Sequence, residues 1–125
     1  MLQLDYKSGV PIYDQLVNGI IRLKALGALK ANDPLPSVRA MAAKLSINPN
    51  TVQRAYAVLE QKGIIYSVTG KGSFISDDRE SENAIREMAL QELGTALKQA
   101  AGKGLTKEDI LSLTEELFKG GTTND

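Results

Sequence analysis

The chain of 125 residues contains no cysteine, no histidine and no tryptophan, and aromatic residues make up only 5% of it. Without cysteine there is neither a disulfide framework nor a thiolate metal site. Without histidine, a His-based catalytic triad and the usual zinc sites are excluded together. With so few rings, the core has to be aliphatic, and a 42% hydrophobic content is enough to build one in a chain of this length. The N-terminus has no long apolar run, and no stretch approaches the length needed to span a bilayer, so a soluble, cytoplasmic protein is expected. A net charge of zero hides an asymmetry. Residues 1–76 carry nine Lys/Arg against four Asp/Glu, whereas residues 77–125 carry six against eleven. A basic first half suited to a polyanion and an acidic second half are the simplest reading of that split.

Residues 1–76 alternate short apolar patterns with turn signals. After Gly9-Val-Pro11, the apolar positions Ile12, Leu16, Ile20 and Leu23, widened by Val17 and Ile21, predict a helix with Pro11 in its first turn and an end near Gly27. Ala31-Asn-Asp-Pro-Leu-Pro36 reads as a loop, since two prolines in three residues oppose regular structure. Ser37 is a candidate N-cap for a short helix with Val38, Met41, Ala42 and Leu45 on one face, followed by a break at Ser46-Ile47. Val52, Ala55, Tyr56 and Leu59 then fall at i, i+3, i+4 and i+7, giving a third helix that stops at Gly63. Ile64–Val68 and Ser73–Ile75, joined by Thr69-Gly-Lys-Gly72, predict a β-hairpin. Three helices followed by a hairpin within so short a segment is the plan of a winged helix-turn-helix.

The second half is simpler. Residues 77–82 are polar and read as a linker. Ile85, Met88, Ala89, Leu93, Ala96, Leu97 and Ala100 then keep helical spacing over about 30 Å, with breaks at Gly102 and Gly104. Thr106 and Asp109 have capping-box spacing ahead of a last helix carrying Ile110, Leu111, Leu113, Leu117 and Phe118, which dissolves at Gly120-Gly121. The expected fold is therefore mainly α with a small β-hairpin: a winged helix-turn-helix over 1–76 and a two-helix C-terminal dimerisation extension over 77–125. Two helices of this length do not enclose a metabolite pocket of several hundred Å3, so no large ligand domain is expected. Ala89, Gly94 and Ala96 are small enough for close helix approach. Ile85, Met88, Ala89, Leu93, Ala96 and Leu97 are the expected contacts to a second copy of the chain.

The chemistry is concentrated in Ser46-Ile-Asn-Pro-Asn-Thr-Val-Gln-Arg-Ala-Tyr56. Proline is excluded from a helix interior and welcome at its first position, so Asn48 reads as the N-cap and Pro49 as the first helical residue. With the buried stripe centred near Val52, Asn50 and Arg54 point to the opposite side and Thr51 and Gln53 flank them. These side chains hydrogen-bond to base edges and phosphates, and an open first turn offers N–H groups to a phosphate. Arg39, beside Ser37 at the start of the second helix, can clamp the phosphate backbone or form an internal salt bridge. Gly70-Lys71-Gly72 puts a cation at a hairpin tip where the backbone can approach DNA closely. Tyr56, near the edge of its stripe, is expected to reach a phosphate through its hydroxyl. Gly70-Lys71 does not belong to a nucleotide-binding loop of the Walker type, which would require glycine where Ile65 stands. The acid pairs Asp77-Asp78 and Glu115-Glu116 read as a linker and a solvated helix face, so no catalytic, metal or cofactor site is expected. A winged helix that binds protein instead of DNA remains the alternative, and it would need an apolar or acidic outer face on the third helix.

Pro11-Ile-Tyr-Asp-Gln15, Leu35-Pro-Ser-Val-Arg39, Leu45-Ser-Ile-Asn-Pro-Asn-Thr-Val52, Arg54-Ala-Tyr56, Leu59-Glu-Gln-Lys-Gly-Ile64 and Gly70-Lys-Gly-Ser-Phe74 together resemble the DNA-binding head of the GntR family of bacterial transcription regulators. Asn-Pro-Asn-Thr-Val followed by Arg-Ala-Tyr is especially similar to the short YtrA-type branch, and Gly104–Ile110 adds a weaker likeness in the tail. The resemblance implies a homodimer on an inverted-repeat operator in double-stranded DNA, usually a repressor, often encoded beside ABC-transporter genes that it controls. It also implies DNA contacts from Arg39, from Asn48 to Thr51, from Gln53 and Arg54, and from the wing glycines. Two departures stand out. Asn32-Asp33 replaces the Gly-Asp common among relatives, and Pro49 and Gln53 occupy positions that are arginine in many other branches, so the base preference of those branches does not carry over.

Overall fold

The computed structural model describes residues 2–120, in the order α1 (Ile12–Ala25), α2 (Val38–Leu45), α3 (Pro49–Gln61), β1 (Ile65–Val68), β2 (Gly72–Ile75), α4 (Arg79–Gly102) and α5 (Lys107–Gly120). Two compact units result, Leu2–Asn83 and the segment from Ala84 onward.

In the first unit the helical stripes read from the sequence become the core. Leu16, Ile20, Val52, Leu59, Ile64 and Ile75 are completely buried, each contributing about 1.5–3 kcal/mol from removal of its side chain from water. Pro11 is the N-cap of α1 rather than its first helical residue, with extended backbone at φ −55° and ψ 143°. The preceding arm is tied down by Gln15, whose Nε2 donates to the carbonyls of Asp5 (2.8 Å) and Val10 (2.9 Å) while its Oε1 accepts from the Asp5 N–H (2.7 Å). Between α2 and α3 the chain turns at Ser46, a non-glycine residue with left-handed backbone at φ 57°. The Ile47 N–H closes that turn on the Ala42 carbonyl (3.0 Å).

β1 and β2 pair antiparallel in the register Ile65 with Ile75, Tyr66 with Phe74, Ser67 with Ser73 and Val68 with Gly72. The loop expected at 31–36 is more ordered than its prolines suggest. Asn32 N–H donates to Ile75 O (2.7 Å), Ile75 N–H to Asp33 O (2.8 Å) and Leu35 N–H to Ser73 O (2.9 Å). Pro34 forms a bridge to Phe74. The prolines at 34 and 36 alternate with the residues that donate, so the segment lines β2 as an irregular edge, the one place in a sheet where proline costs no ladder bond.

The segment expected as a linker, 77–82, is a linker only in part, because α4 begins at Arg79. Asp78 is the reason. Its carboxylate accepts from the Ser81 N–H (3.0 Å) and from Ser81 Oγ (2.8 Å), satisfying a donor that the first helical turn leaves free. The Ser81 backbone bond, then the Ser81 hydroxyl, hold the Asp78 carboxyl below the usual carboxylate range. This first turn is fastened to the rest of the unit. Lys24 Nζ lies 3.4 Å from Glu82 Oε2 and donates to Ser76 Oγ (3.2 Å), and Ser76 Oγ in turn donates to the Gly63 carbonyl. The division between units accordingly falls after Asn83 and not after Ser76.

The second unit starts within α4. It reaches a glycine stop at Gly104, left-handed at φ 101°, where Leu105 N–H closes on Ala100 O (3.2 Å). The capping box is formed as its spacing predicted, with Asp109 N–H donating to Thr106 Oγ1 (3.1 Å) and Thr106 N–H to Asp109 Oδ2 (2.8 Å). α4 buries none of its residues in the single chain. Met88, Leu90, Leu93 and Leu97 stay exposed, as do Leu111, Leu113, Leu117 and Phe118 of α5. Gly121, at the expected end of the last helix, lies outside the described residues.

Candidate nucleic-acid interface

The N-terminus of α3 is built as its sequence dictates. Asn48 is the N-cap, in extended backbone, and its side-chain oxygen accepts from the Asn50 N–H at 2.8 Å; Pro49 is the first helical residue. Val52, Ala55, Tyr56 and Leu59 face inward and are buried, while Asn48, Pro49, Asn50, Gln53 and Arg54 are exposed and Thr51 is half-buried. The outer side of α3 is therefore polar and cationic, carrying amide, hydroxyl and guanidinium groups of the kind that read base edges and hold phosphates. It has neither the apolar nor the acidic character that a protein-binding alternative would need.

α2 brings a second cation. Ser37 caps the helix by accepting from the Ala40 N–H (3.1 Å), and Arg39 stands exposed in the first turn. No ion pair involving Arg39 is found among the described residues. Arg39 therefore does not form the internal salt bridge that was its competing reading, and its charge is left for an external anion. The wing supplies a third cation. Gly70, Lys71 and Gly72 are exposed at the hairpin tip, where Lys71 N–H closes the turn on Val68 O (2.9 Å) and both glycines have positive φ. The hairpin is braced against α3 by Ser67 Oγ, which donates to Glu60 Oε1 (3.1 Å).

Tyr56 requires a correction. Its ring is buried at 6% exposure and its hydroxyl donates to the Pro36 carbonyl at 2.8 Å. Burial pushes the phenol up to about 12. The hydroxyl expected to reach a phosphate instead fixes the start of α2 against α3, which sets Ser37 and Arg39 relative to the recognition helix. What the structure shows for Tyr56 is a scaffold role, with its ring in the core and its hydroxyl proton engaged by Pro36.

Two residues without an assigned role in the sequence belong to this region. Tyr13, in the first turn of α1, lies under Arg54, with the guanidinium carbon 3.8 Å from the ring centroid. Gln15 holds the arm that leads into the same turn. Both stand in Pro11-Ile-Tyr-Asp-Gln15, but helical periodicity gives no sign of a partner so distant in the chain. No group of histidine, cysteine or acidic side chains suited to a metal ion occurs among the described residues, and no helix among them is long and apolar enough to cross a membrane.

Comparison with known proteins agrees with this geometry. The family model described as bacterial regulatory proteins, gntR family, matches residues 11–75, the segment from the α1 cap to the end of the wing. The HTH-type transcriptional repressor YtrA of Bacillus subtilis is 35% identical over the full length of both chains. Among solved structures, a GntR family transcriptional regulator from Listeria monocytogenes is 35% identical, with a TM-score of 0.73 over 89% of this chain and 98% of the other. A second structure, described as a transcriptional antiterminator from Listeria monocytogenes EGD-e, is 30% identical, with a TM-score of 0.78 over 100% of this chain and 97% of the other. These relatives are regulators rather than enzymes, and their likeness runs through both the winged helix and the helices that follow it. With a recognition helix polar on its outer side, a cationic wing and a family match over the whole head, the chain belongs to the GntR family of bacterial regulatory proteins and is a DNA-binding regulator of transcription.

Proposed function

We propose that the protein is a homodimeric, cytoplasmic repressor that binds an inverted-repeat operator, with an adjacent ABC-transporter operon as its first candidate target. The observation that carries the DNA contacts is the open start of α3, where Asn50, Thr51, Gln53 and Arg54 face away from the core while Asn48 and Pro49 fix the helix entry. α3 enters the major groove, Ser37 and Arg39 hold the flanking phosphates, and Gly70, Lys71 and Gly72 follow the backbone or the minor groove. The repressor role rests on the full-length likeness to a protein described as a repressor. The dimer is supported by the second unit. Met88 (62% exposed), Leu93 (54%) and Leu97 (37%) are apolar side chains left in water on one helix, with Ile85, Ala89 and Ala96 on the same element. An uncovered patch of that kind favours a partner surface, and symmetric dimers are the commonest solution.

The test is a gel shift with the duplex upstream of the gene's own coding sequence. Three phosphate-directed cations per protomer, Arg39, Arg54 and Lys71, make about six per dimer. Affinity then falls about a thousandfold between 50 and 200 mM salt. No binding at low salt defeats the reading. The dimer is tested apart from DNA. Light scattering gives twice the 13.5 kDa chain mass at micromolar concentration, and Leu93→Glu returns it to the monomer. A wild-type monomer at that concentration overturns the assembly while leaving the DNA contacts standing.

A further inference from the structure

We propose that Tyr13 is a positioning residue for DNA binding, holding the Arg54 guanidinium edge-outward beside the recognition helix. The inference deepens the proposed function and rests on Arg54 as a DNA contact. Arg54 projects from the exposed side of α3, where an arginine samples many rotamers and would have to be ordered on binding. The Tyr13 ring is half-buried on α1, next to the buried stripe of Leu16 and Val17, so it is a fixed platform rather than a second mobile group. At 3.8 Å from the ring centroid, the guanidinium carbon is within the distance at which the π face attracts a cation.

The geometry matters because a guanidinium has two separate chemistries. Its face stacks, and its edge carries the N–H donors that engage a phosphate or a guanine in a fork. A ring under the face leaves the edge free. A carboxylate partner would order the side chain equally well but would occupy the donors and cancel the charge. Among the described residues Arg54 has no such ion pair. Tyr13 thus orders Arg54 without neutralising it, and α1, an element that the groove does not have to admit, takes part in recognition through this stack.

Full-chain variants are measured on a duplex selected by the wild-type protein from a random-sequence pool. Tyr13→Phe keeps the ring and binds within about twofold of wild type. Tyr13→Leu keeps an apolar side chain, removes the π face and weakens binding about three- to fivefold per bound protomer. In an Arg54→Gln background, where nothing remains to be positioned, Tyr13→Leu causes no further loss. The coupling between the two sites is the readout that a merely structural tyrosine would not give, and thermal unfolding of each variant reports folding separately. Equal losses from Tyr13→Leu with and without Arg54 overturn the proposal, as does a Tyr13→Phe loss as large as that of Tyr13→Leu, which would make the hydroxyl itself the contact. Wild-type affinity in Arg54→Gln overturns the underlying assignment of Arg54, an outcome distinct from the other two.

Discussion

Replacing Gly63 by alanine tests the way the C-terminus of α3 meets the first turn of α4. Gly63 has φ +78°, and so does Gly70 at the wing tip, but their surroundings differ. Nothing lies within 4 Å of a Cβ built on Gly70, so Gly70→Ala carries the left-handed backbone strain alone, about 1 kcal/mol. A Cβ on Gly63 overlaps Ser81 Oγ and comes within 2.9 Å of Ser81 Cβ and 3.1 Å of Asp78 Oδ2. Ser81 then has to move, and its two bonds to Asp78 are the cap that starts α4. Loss of an N-cap costs about 0.5–2 kcal/mol, so with the strain Gly63→Ala destabilises by about 1.5–3 kcal/mol in all. Thermal unfolding followed by far-ultraviolet circular dichroism shows this as a drop of roughly 10 °C, against roughly 4 °C for Gly70→Ala. In a Ser81→Gly background both Ser81 atoms are gone and Asp78 Oδ2, released from the Ser81 hydroxyl, is free to give way, so the further cost of Gly63→Ala falls to about 1 kcal/mol, the strain alone. Equal costs for Gly63→Ala and Gly70→Ala in the native background would refute the reasoning, since backbone conformation would then explain everything and the packing against Ser81 nothing.

Two further predictions concern titration. Burial pushes the Tyr56 phenol up to about 12 from an ordinary 10.0, so the stability it confers is complete below pH 10 and is lost as pH rises towards 12. In Tyr56→Phe that alkaline loss is diminished, and at neutral pH the variant is less stable by about 1 kcal/mol for the missing bond to Pro36; denaturant unfolding across pH 8–11 checks both. The Asp78 carboxyl is held down chiefly by the Ser81 N–H, so its contribution is present above the ordinary carboxylate range and disappears as pH falls through its lowered value. Asp78→Asn removes that dependence, and the stabilities of wild type and variant draw together as pH falls below the ordinary carboxylate range.

Much of the first unit was legible in the sequence because local signals and tertiary packing agree there. Val52, Ala55, Tyr56 and Leu59 at helical spacing are the buried stripe of α3. Asn48 and Pro49 cap and open the helix as their chemistry requires. The signals that failed have a common cause. Pro34 and Pro36 predicted a plain loop, and the hydrogen bonds that make it an edge beside β2 come from Ser73 and Ile75, far along the chain. Polar residues at 79–82 predicted a linker, and the helix exists there because Asp78 caps it and Lys24 draws in Glu82. In each case the deciding partner lies on another element, where periodicity carries no information.

The two tyrosines show the same limit at the interface. Tyr56 sits in the motif proposed to read DNA and Tyr13 does not, so helical spacing led to an expected contact for the first and none for the second. In the fold Tyr56 donates to Pro36 and Tyr13 lies under Arg54. Neither arrangement follows from a helical wheel. A wheel orders residues by angle, and both tyrosines act through reach, one hydroxyl and one ring crossing to a neighbouring helix or loop. What the wheel does determine is which side chains have no inward role. Asn50, Gln53 and Arg54 are left exposed because Val52, Ala55 and Leu59 already fill the inner side of α3. The interleaving of the two sets has a consequence for specificity. Exchanging an outer residue leaves the buried stripe untouched, so under the proposed function the outer side of α3 can change its base preference without loss of fold. Exchanging Tyr56 or Tyr13 instead disturbs the support itself, the bond from Tyr56 to the start of α2 or the ring beneath Arg54.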